Sequence, residues 1–208
     1  MTYVQHKRCF WRFKRLLRSI PADTKINSTK QIVCAKSFGR EITGLRELEE
    51  AVSCYVARAA EKLREQDGLC GRLTVFVRTN GFAMNAPQYA NEFTVDLPSP
   101  TAFTPELIRQ ALAGLHAMYR EGYRYKKVGI TLSRITPLPV VQPDLFGEVS
   151  LVEHYREMQL MAVVDAINRI FGRETLVFAV QGWTRSWRMR QERLSQRWLS
   201  RWEEMLTI

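Results

Sequence analysis

The sequence predicts an α+β fold: a β-α-β-β-α-β unit, with a four-stranded sheet carrying two helices on one face, followed by a small, mostly helical C-terminal domain. Three observations predict it. Residues 72–80 alternate with period two, Leu73, Val75 and Val77 pointing one way and Arg72, Thr74, Phe76 and Arg78 the other. That is the pattern of a strand with one buried face. Two stretches, 44–65 and 104–119, place apolar residues at helical spacing. Finally, the order of strand-like and helix-like stretches leaves the two apolar stripes one place to be buried, the apolar face of the sheet.

The elements follow in order. Residues 1–29 form a basic arm. Its first 19 residues hold Lys7, Arg8, Arg12, Lys14, Arg15 and Arg18 with no acid, interleaved with Phe10, Trp11, Phe13, Leu16 and Leu17. As a helix the arm can touch DNA, lipid or a partner; otherwise it is a poorly ordered basic extension. Residues 31–37 read as the first strand, and Ser37-Phe38-Gly39-Arg40 as a turn after it. Thr43 is placed to cap the helix over 44–65, whose apolar face is Leu45, Leu48, Val52, Tyr55, Val56, Ala59 and Leu63. Asp67-Gly68 closes that helix before the strand 72–80.

A third strand is expected over 91–97, with Phe93, Val95 and Leu97 on one side and Glu92, Thr94 and Asp96 on the other. Pro98, Pro100 and Thr101 mark a connection. Thr104-Pro105-Glu106 reads as a helix start, with Thr104 as cap and Pro105 at the first helical position. Ile108, Ala111, Leu112, Leu115, Met118 and Tyr119 form its apolar face, and Gly122 its end. In the fourth strand, 125–133, Val128, Ile130 and Leu132 alternate with Lys127, Gly129, Thr131 and Ser133. A proline-marked linker over 137–149 carries Gln142-Pro143-Asp144-Leu145-Phe146. A third helix over 150–171, a short apolar strand over 175–180 and an Arg/Trp-rich tail complete the chain. The expected domains are therefore 1–29, 30–136, 137–149 and 150–208.

The net charge of +10 over 208 residues points to a polyanionic partner. The four cysteines, Cys9, Cys34, Cys54 and Cys70, lack metal-ligand spacing, and Cys34 and Cys54 sit inside apolar patterns, so buried free thiols are expected for these two, which suits a reducing cytoplasm. No apolar run has the length of a membrane span, and residues 1–29 lack the apolar core of a signal peptide. Asp23, Asp67, Asp96, Asp144 and Asp165 are not spaced to share a metal, and His6, His116 and His154 are isolated. Walker, dinucleotide and nucleophile-elbow motifs are absent. No catalytic residue, metal ligand or cofactor is assigned.

Binding remains. A sheet face bearing Arg72, Thr74, Phe76, Arg78, Thr94, Lys127, Thr131 and Ser133 can grip phosphates without reading bases. The same face can equally be a bare polar surface or be covered by a partner; composition leaves these level. The peptide at 142–146 can plug an apolar pocket on another protein, or pack Leu145 and Phe146 back on its own domain.

Several blocks together resemble the C-terminal part of the UmuC-type Y-family translesion DNA polymerases, the family of the polymerase V catalytic subunit. They are Ile32-Val33-Cys34-Ala35-Lys36-Ser37-Phe38-Gly39-Arg40, Ala57-Arg58-Ala59-Ala60-Glu61-Lys62-Leu63-Arg64, Phe82-Ala83-Met84-Asn85 and Gly122-Tyr123-Arg124-Tyr125-Lys126-Lys127-Val128-Gly129. Further on, Leu176-Val177-Phe178-Ala179, Gln181-Gly182, Trp187-Arg188-Met189-Arg190 and Leu194-Ser195 resemble the domain of unassigned function that ends those chains. The resemblance runs from about residue 30 to about residue 201.

The resemblance implies a little-finger domain that lies along primer–template duplex, with Lys36, Ser37, Arg40, Arg72, Arg78, Thr79, Lys126 and Lys127 as DNA contacts. It implies that Gln142, Leu145 and Phe146 dock on the β sliding clamp, in SOS-induced lesion bypass, DNA repair and mutagenesis at the nucleoid. The alternative reading is a protein-interaction subunit, whose Trp/Arg tail and apolar third helix bind a recombinase filament or an accessory, UmuD-type subunit, with DNA contact incidental. The palm, fingers and thumb, with their metal-binding carboxylates, have no counterpart in these residues, so the resemblance implies a non-catalytic part. Residues 1–27 do not match the family, and Gln196 and Leu199-Ser200 stand where it usually has Pro and a Thr-Thr pair.

Overall fold

Strand β1 (Gln31–Ile42) leads through Gly44 into helix α1 (Leu45–Arg64); β2 (Gly68–Thr79) and β3 (Ala90–Thr101) follow, then α2 (Thr104–Met118), β4 (Tyr125–Pro137) and α3 (Leu151–Ile170). The computed structural model describes residues 31–83, 86–138 and 151–189, and the side chains of 151 and 152 are outside that description. The sheet order is β1-β4-β2-β3, every neighbouring pair antiparallel. Both β-α-β crossovers are therefore split, with β4 lying between β1 and β2, and β2 between β3 and β4.

The expected helical stripes do bury against one sheet face. Leu73, Val75 and Val77 of β2 and Val128, Ile130 and Leu132 of β4 are fully buried beneath Leu48, Val52, Val56, Ala59 and Leu63 of α1 and Leu107, Ala111 and Leu115 of α2. At about 1.5–3 kcal/mol for each fully buried large aliphatic, this layer dominates the stability of the fold.

The structure departs from expectation where tertiary contacts override local signals. Ser37-Phe38-Gly39-Arg40 is not a turn but part of β1. Between the pairs Ser37–Lys127 and Ile42–Tyr125, five residues of β1 advance against two of β4, so the surplus is taken up as a bulge-like irregularity rather than a chain reversal. Phe38 is buried there, holding the strand down. Pro98 and Pro100 likewise lie within β3, an edge strand, where a missing N–H is tolerated. Neither threonine caps its helix. Gly44 and Phe103 occupy the N-cap positions without side-chain bonds, and the Thr104 hydroxyl instead accepts from Arg64 Nη1 at 2.9 Å.

Residues 175–180 are not a strand. Side-chain amides take the backbone groups a sheet would have used: Leu176 N–H donates to Asn168 Oδ1 at 2.8 Å, Asn168 Nδ2 donates back to the Leu176 carbonyl at 3.0 Å, and Phe178 N–H donates to Gln181 Oε1 at 3.0 Å. A 3-10 turn, Ala179–Gln181, follows. This C-terminal segment packs on the sheet domain. Gln181 is buried; its Nε2 donates to the Ser53 carbonyl and its own carbonyl accepts from Cys54 Sγ. Gly39 N–H donates to the Trp187 carbonyl at 3.2 Å, and a Cβ on Gly39 would stand 2.6 Å from the Arg188 carbonyl, so the close approach requires glycine. Helix α3 is held by Arg64, which grips Asp165 through Nε (2.6 Å) and Nη2 (2.8 Å) and donates to the Ala102 carbonyl.

Glu174 ties this segment together. Burial pushes its carboxyl up, but Arg188 and Arg185, each 2.6 Å away, hold it below its usual 4.5. A carboxyl depressed in the folded state contributes stability that is whole above 4.5 and lost as pH falls through the lowered value. Acidification below about 4.5 is expected to loosen the segment, read as faster amide exchange at Gly39, and Glu174→Gln to remove that acid step. An unchanged acid step in the variant contradicts the assignment.

Candidate nucleic-acid interface

The sheet face away from α1 and α2 is bare among the described residues, and the register arranges it in four rows across β1, β4, β2 and β3. The rows are Gln31–Ser133–Arg72–Asp96, Val33–Thr131–Thr74–Thr94, Ala35–Gly129–Phe76–Glu92 and Ser37–Lys127–Arg78–Ala90. The rows differ in chemistry, and the difference follows from pairing.

In the first row Arg72 is neutralised. Its Nε and Nη2 grip the two oxygens of Asp96 at 2.7 and 3.0 Å, and Arg134 adds a third hydrogen bond at 3.1 Å. The Arg72 guanidinium holds the Asp96 carboxyl below the usual carboxylate range, and Arg134 adds to the effect. The second row is a threonine ladder, with Thr74 and Thr94 hydroxyls 2.9 Å apart.

In the third row the Phe76 ring reaches across Gly129. A Cβ on Gly129 would meet Phe76 Cζ at 2.6 Å and overlap the Ala35 methyl. Phe76 therefore covers backbone rather than standing free. Gly129→Val is expected to displace the ring and cost about 1–3 kcal/mol, the usual penalty of overpacking. Urea unfolding checks it, and an unchanged midpoint contradicts the packing of the ring on Gly129.

The fourth row is cationic. Lys127 and Arg78 are direct cross-strand partners, and neither is ion-paired among the described residues. Arg78 lies over the Phe76 ring at 5.4 Å, which orients the guanidinium without neutralising it. Two like charges side by side repel in the absence of a ligand, so an anion bridging them gains from both.

The sequence-assigned contacts thus divide. Ser37, Arg78 and Lys127 share one row. Arg72 is on the same face but engaged with Asp96. Arg40 pairs with Glu47 and donates to Ser186. The Thr79 hydroxyl is bonded to Gln88 and Tyr89 in the β2–β3 loop. Lys36 lies opposite Val128 on the helix side, where its charge, with that of Lys62 and Arg58, acts on Cys34; Lys126 falls in the register shift between the pairs Arg78–Lys127 and Thr79–Tyr125, where strict alternation is broken. Gln142, Leu145 and Phe146 lie outside the described residues.

Phe82, which lies within a resemblance block but was given no role there, is 96% exposed at the loop beyond β2, at the cationic end of the face. The loop is braced: Asn80 Oδ1 accepts from Phe82 N–H, and Gln88 Nε2 donates to the carbonyls of Asn80 and Ala83. An aromatic between Gly81 and Ala83 in a turn was the available signal. Arg120 and Arg124 stand in the turn entering β4 at the same end, Arg120 over the Tyr89 ring at 5.3 Å and Arg124 paired with Glu41 at 3.8 Å.

The three described cysteines, Cys34, Cys54 and Cys70, are free and buried, and burial pushes the Cys54 and Cys70 thiols up to about 11. Among the described residues no group of three or more His, Cys, Asp or Glu is placed to hold a metal, and no helix is long and apolar enough to cross a membrane.

A split β-α-β sheet with helices on one face and a bare, one-ended cationic surface on the other defines an α+β surface-presenting module. The chain belongs to the impB/mucB/samB family: the model of that family's C-terminal domain matches residues 29–145, and a domain of unknown function (DUF4113) matches 158–208. It is 37% identical over 179 residues to Protein UmuC of Salmonella typhimurium, covering 86% of this chain and 42% of that one. It is 39% identical over 176 residues to Protein ImpB of Salmonella typhimurium, covering 85% and 41%. The chain thus spans about two-fifths of the length of these relatives. Among solved structures it is similar to a Dbh DNA polymerase ternary complex (TM-score 0.45, 10% identity, 63% of this chain and 36% of that one). It is also similar to a complex of the beta-clamp processivity factor with the little finger domain of PolIV (TM-score 0.37, 17% identity, 58% and 97%).

Proposed function

We propose that this chain is the DNA-binding and clamp-docking part of a UmuC-type translesion polymerase, acting in SOS-linked DNA repair in the cytoplasm, at the nucleoid, and supplying no bond-making residue itself. The observation that carries the reading is the Lys127–Arg78 pair, two adjacent cations on a bare sheet face without a carboxylate partner among the described residues. Duplex phosphate is the ligand that such a row suits: the contacts fix position, and Ser37 in the same row offers a hydroxyl donor. The narrower footprint of this row, rather than all eight sequence-assigned residues, is the proposed contact. The 142–146 peptide is proposed to hold the β sliding clamp, so that two modest contacts reinforce each other by effective concentration.

The test is duplex binding and clamp pull-down with the same full chain. Leu145→Ala with Phe146→Ala is expected to abolish clamp pull-down and leave duplex binding unchanged. Retained pull-down removes the docking site. A second reading, contact with a UmuD-type subunit or a recombinase filament, is favoured by Trp183, which is 88% exposed beside exposed Val180; aromatic anchors of this kind are enriched at interface hot spots.

A further inference from the structure

Away from the bare sheet face, α3 and the end of α1 enclose a groove of about 670 Å³. Its floor is apolar, with Leu69, Ala102 and Met161 buried beneath it. Its rim carries Glu65, Asp67 and Glu157, none of them ion-paired among the described residues, while Arg169 and Arg173 stand on the α3 side. Burial pushes the Glu157 carboxyl up, and Glu106 and Glu153 add to the effect against His154. A desolvated carboxylate among other acids favours the arrival of a cation.

The chain itself offers three occupants, and charge separates them. Residues 139–150 carry Asp144 and Glu148 and no cation, so they repel the rim. Residues 190–208 carry four arginines and three glutamates and are nearly neutral. Residues 1–30 carry eight lysines and arginines against Asp23 alone, and between positions 7 and 18 six of these alternate with Phe10, Trp11, Phe13, Leu16 and Leu17. Reach agrees with charge. Gln31 enters the sheet opposite Ser133, at the end where Leu69 pairs with Thr136, which is the end that borders the groove. Residues 19–30 join the basic stretch to Gln31, and twelve extended residues span up to about 40 Å.

We propose that this groove is the docking site for residues 7–18 of the same chain, their cations on Glu65, Asp67 and Glu157 and their apolar side chains on the floor. Docked there, the most basic stretch of the molecule is kept off the bare sheet face, and polyanion binding is left to the Lys127–Arg78 row.

Carbodiimide cross-linking of the full chain at dilution, read by peptide mass spectrometry, tests this directly. The expected result is an intramolecular link from Lys7 or Lys14 to Glu65, Asp67 or Glu157. Glu65→Lys with Glu157→Lys, folded by circular dichroism, is expected to lower its yield at least tenfold, and Glu41→Lys with Glu92→Lys to leave it unchanged. Links from these lysines only to other acids, links only between two copies, or no link at all would each overturn the proposal.

Discussion

Replacing Trp187 by alanine is expected to lower the unfolding free energy by about 3–5 kcal/mol, the cost of deleting a large buried aromatic. The ring is 3% exposed and lies edge-on to Phe38 (6.0 Å between centroids, 76°) and to Tyr55 (5.9 Å, 84°). Each such aromatic pair adds about 0.5–1.5 kcal/mol beyond area. Phe38 belongs to β1 and Tyr55 to α1, so one side chain joins the C-terminal segment to two elements of the sheet domain. Among the described residues its Nε1 is buried without a hydrogen-bond partner. An unpaired buried donor costs about 1–3 kcal/mol, so Trp187→Phe, which keeps most of the packing and removes the donor, is expected to cost less than half as much as alanine. Urea unfolding followed by circular dichroism reads both. An alanine variant within about 1 kcal/mol of the parent, a change typical of surface positions, contradicts the docking.

Replacing Arg78 and Lys127 together by alanine is expected to weaken duplex binding uniformly across sequences. It should also make the log–log salt slope shallower by about 1.8, because each neutralised phosphate accounts for about 0.9 of the slope on B-DNA. Arg72→Ala is expected to change the slope far less, although it sits on the same face and is equally basic in the sequence. Its charge is already met by Asp96 in a two-point grip. The contrast between Arg72 and Arg78, six residues apart on one strand, separates a phosphate-binding residue from a structural ion pair.

The same contrast marks what was legible in the sequence. Period-two alternation identified β2 and β4 and told their faces apart, because side-chain direction in a strand is a local property. Helical spacing likewise found α1, α2 and α3. Pairing was not local: nothing in residues 72–78 says that Asp96 lies opposite Arg72 and Ala90 opposite Arg78, since register is set by the whole sheet. Lys36 was assigned to DNA by the resemblance, yet register alone places it on the helix side. The turn read at 37–40 failed because Gly39 serves a close approach by Arg188, 149 positions away. The strand read at 175–180 failed because side-chain amides claimed its backbone groups. Trp183 and Trp187 look alike in sequence, and only the tertiary fold buries one and exposes the other.

Polyanion binding by the bare sheet face is proposed to rest on the Lys127–Arg78 row. The most direct measurement is the equilibrium binding of a short duplex to the full chain across a salt series, beside the Arg78→Ala, Lys127→Ala double variant. The expected result is a steep linear fall of log affinity with log salt, and a line shallower by about 1.8 for the variant. Superimposable slopes would contradict it.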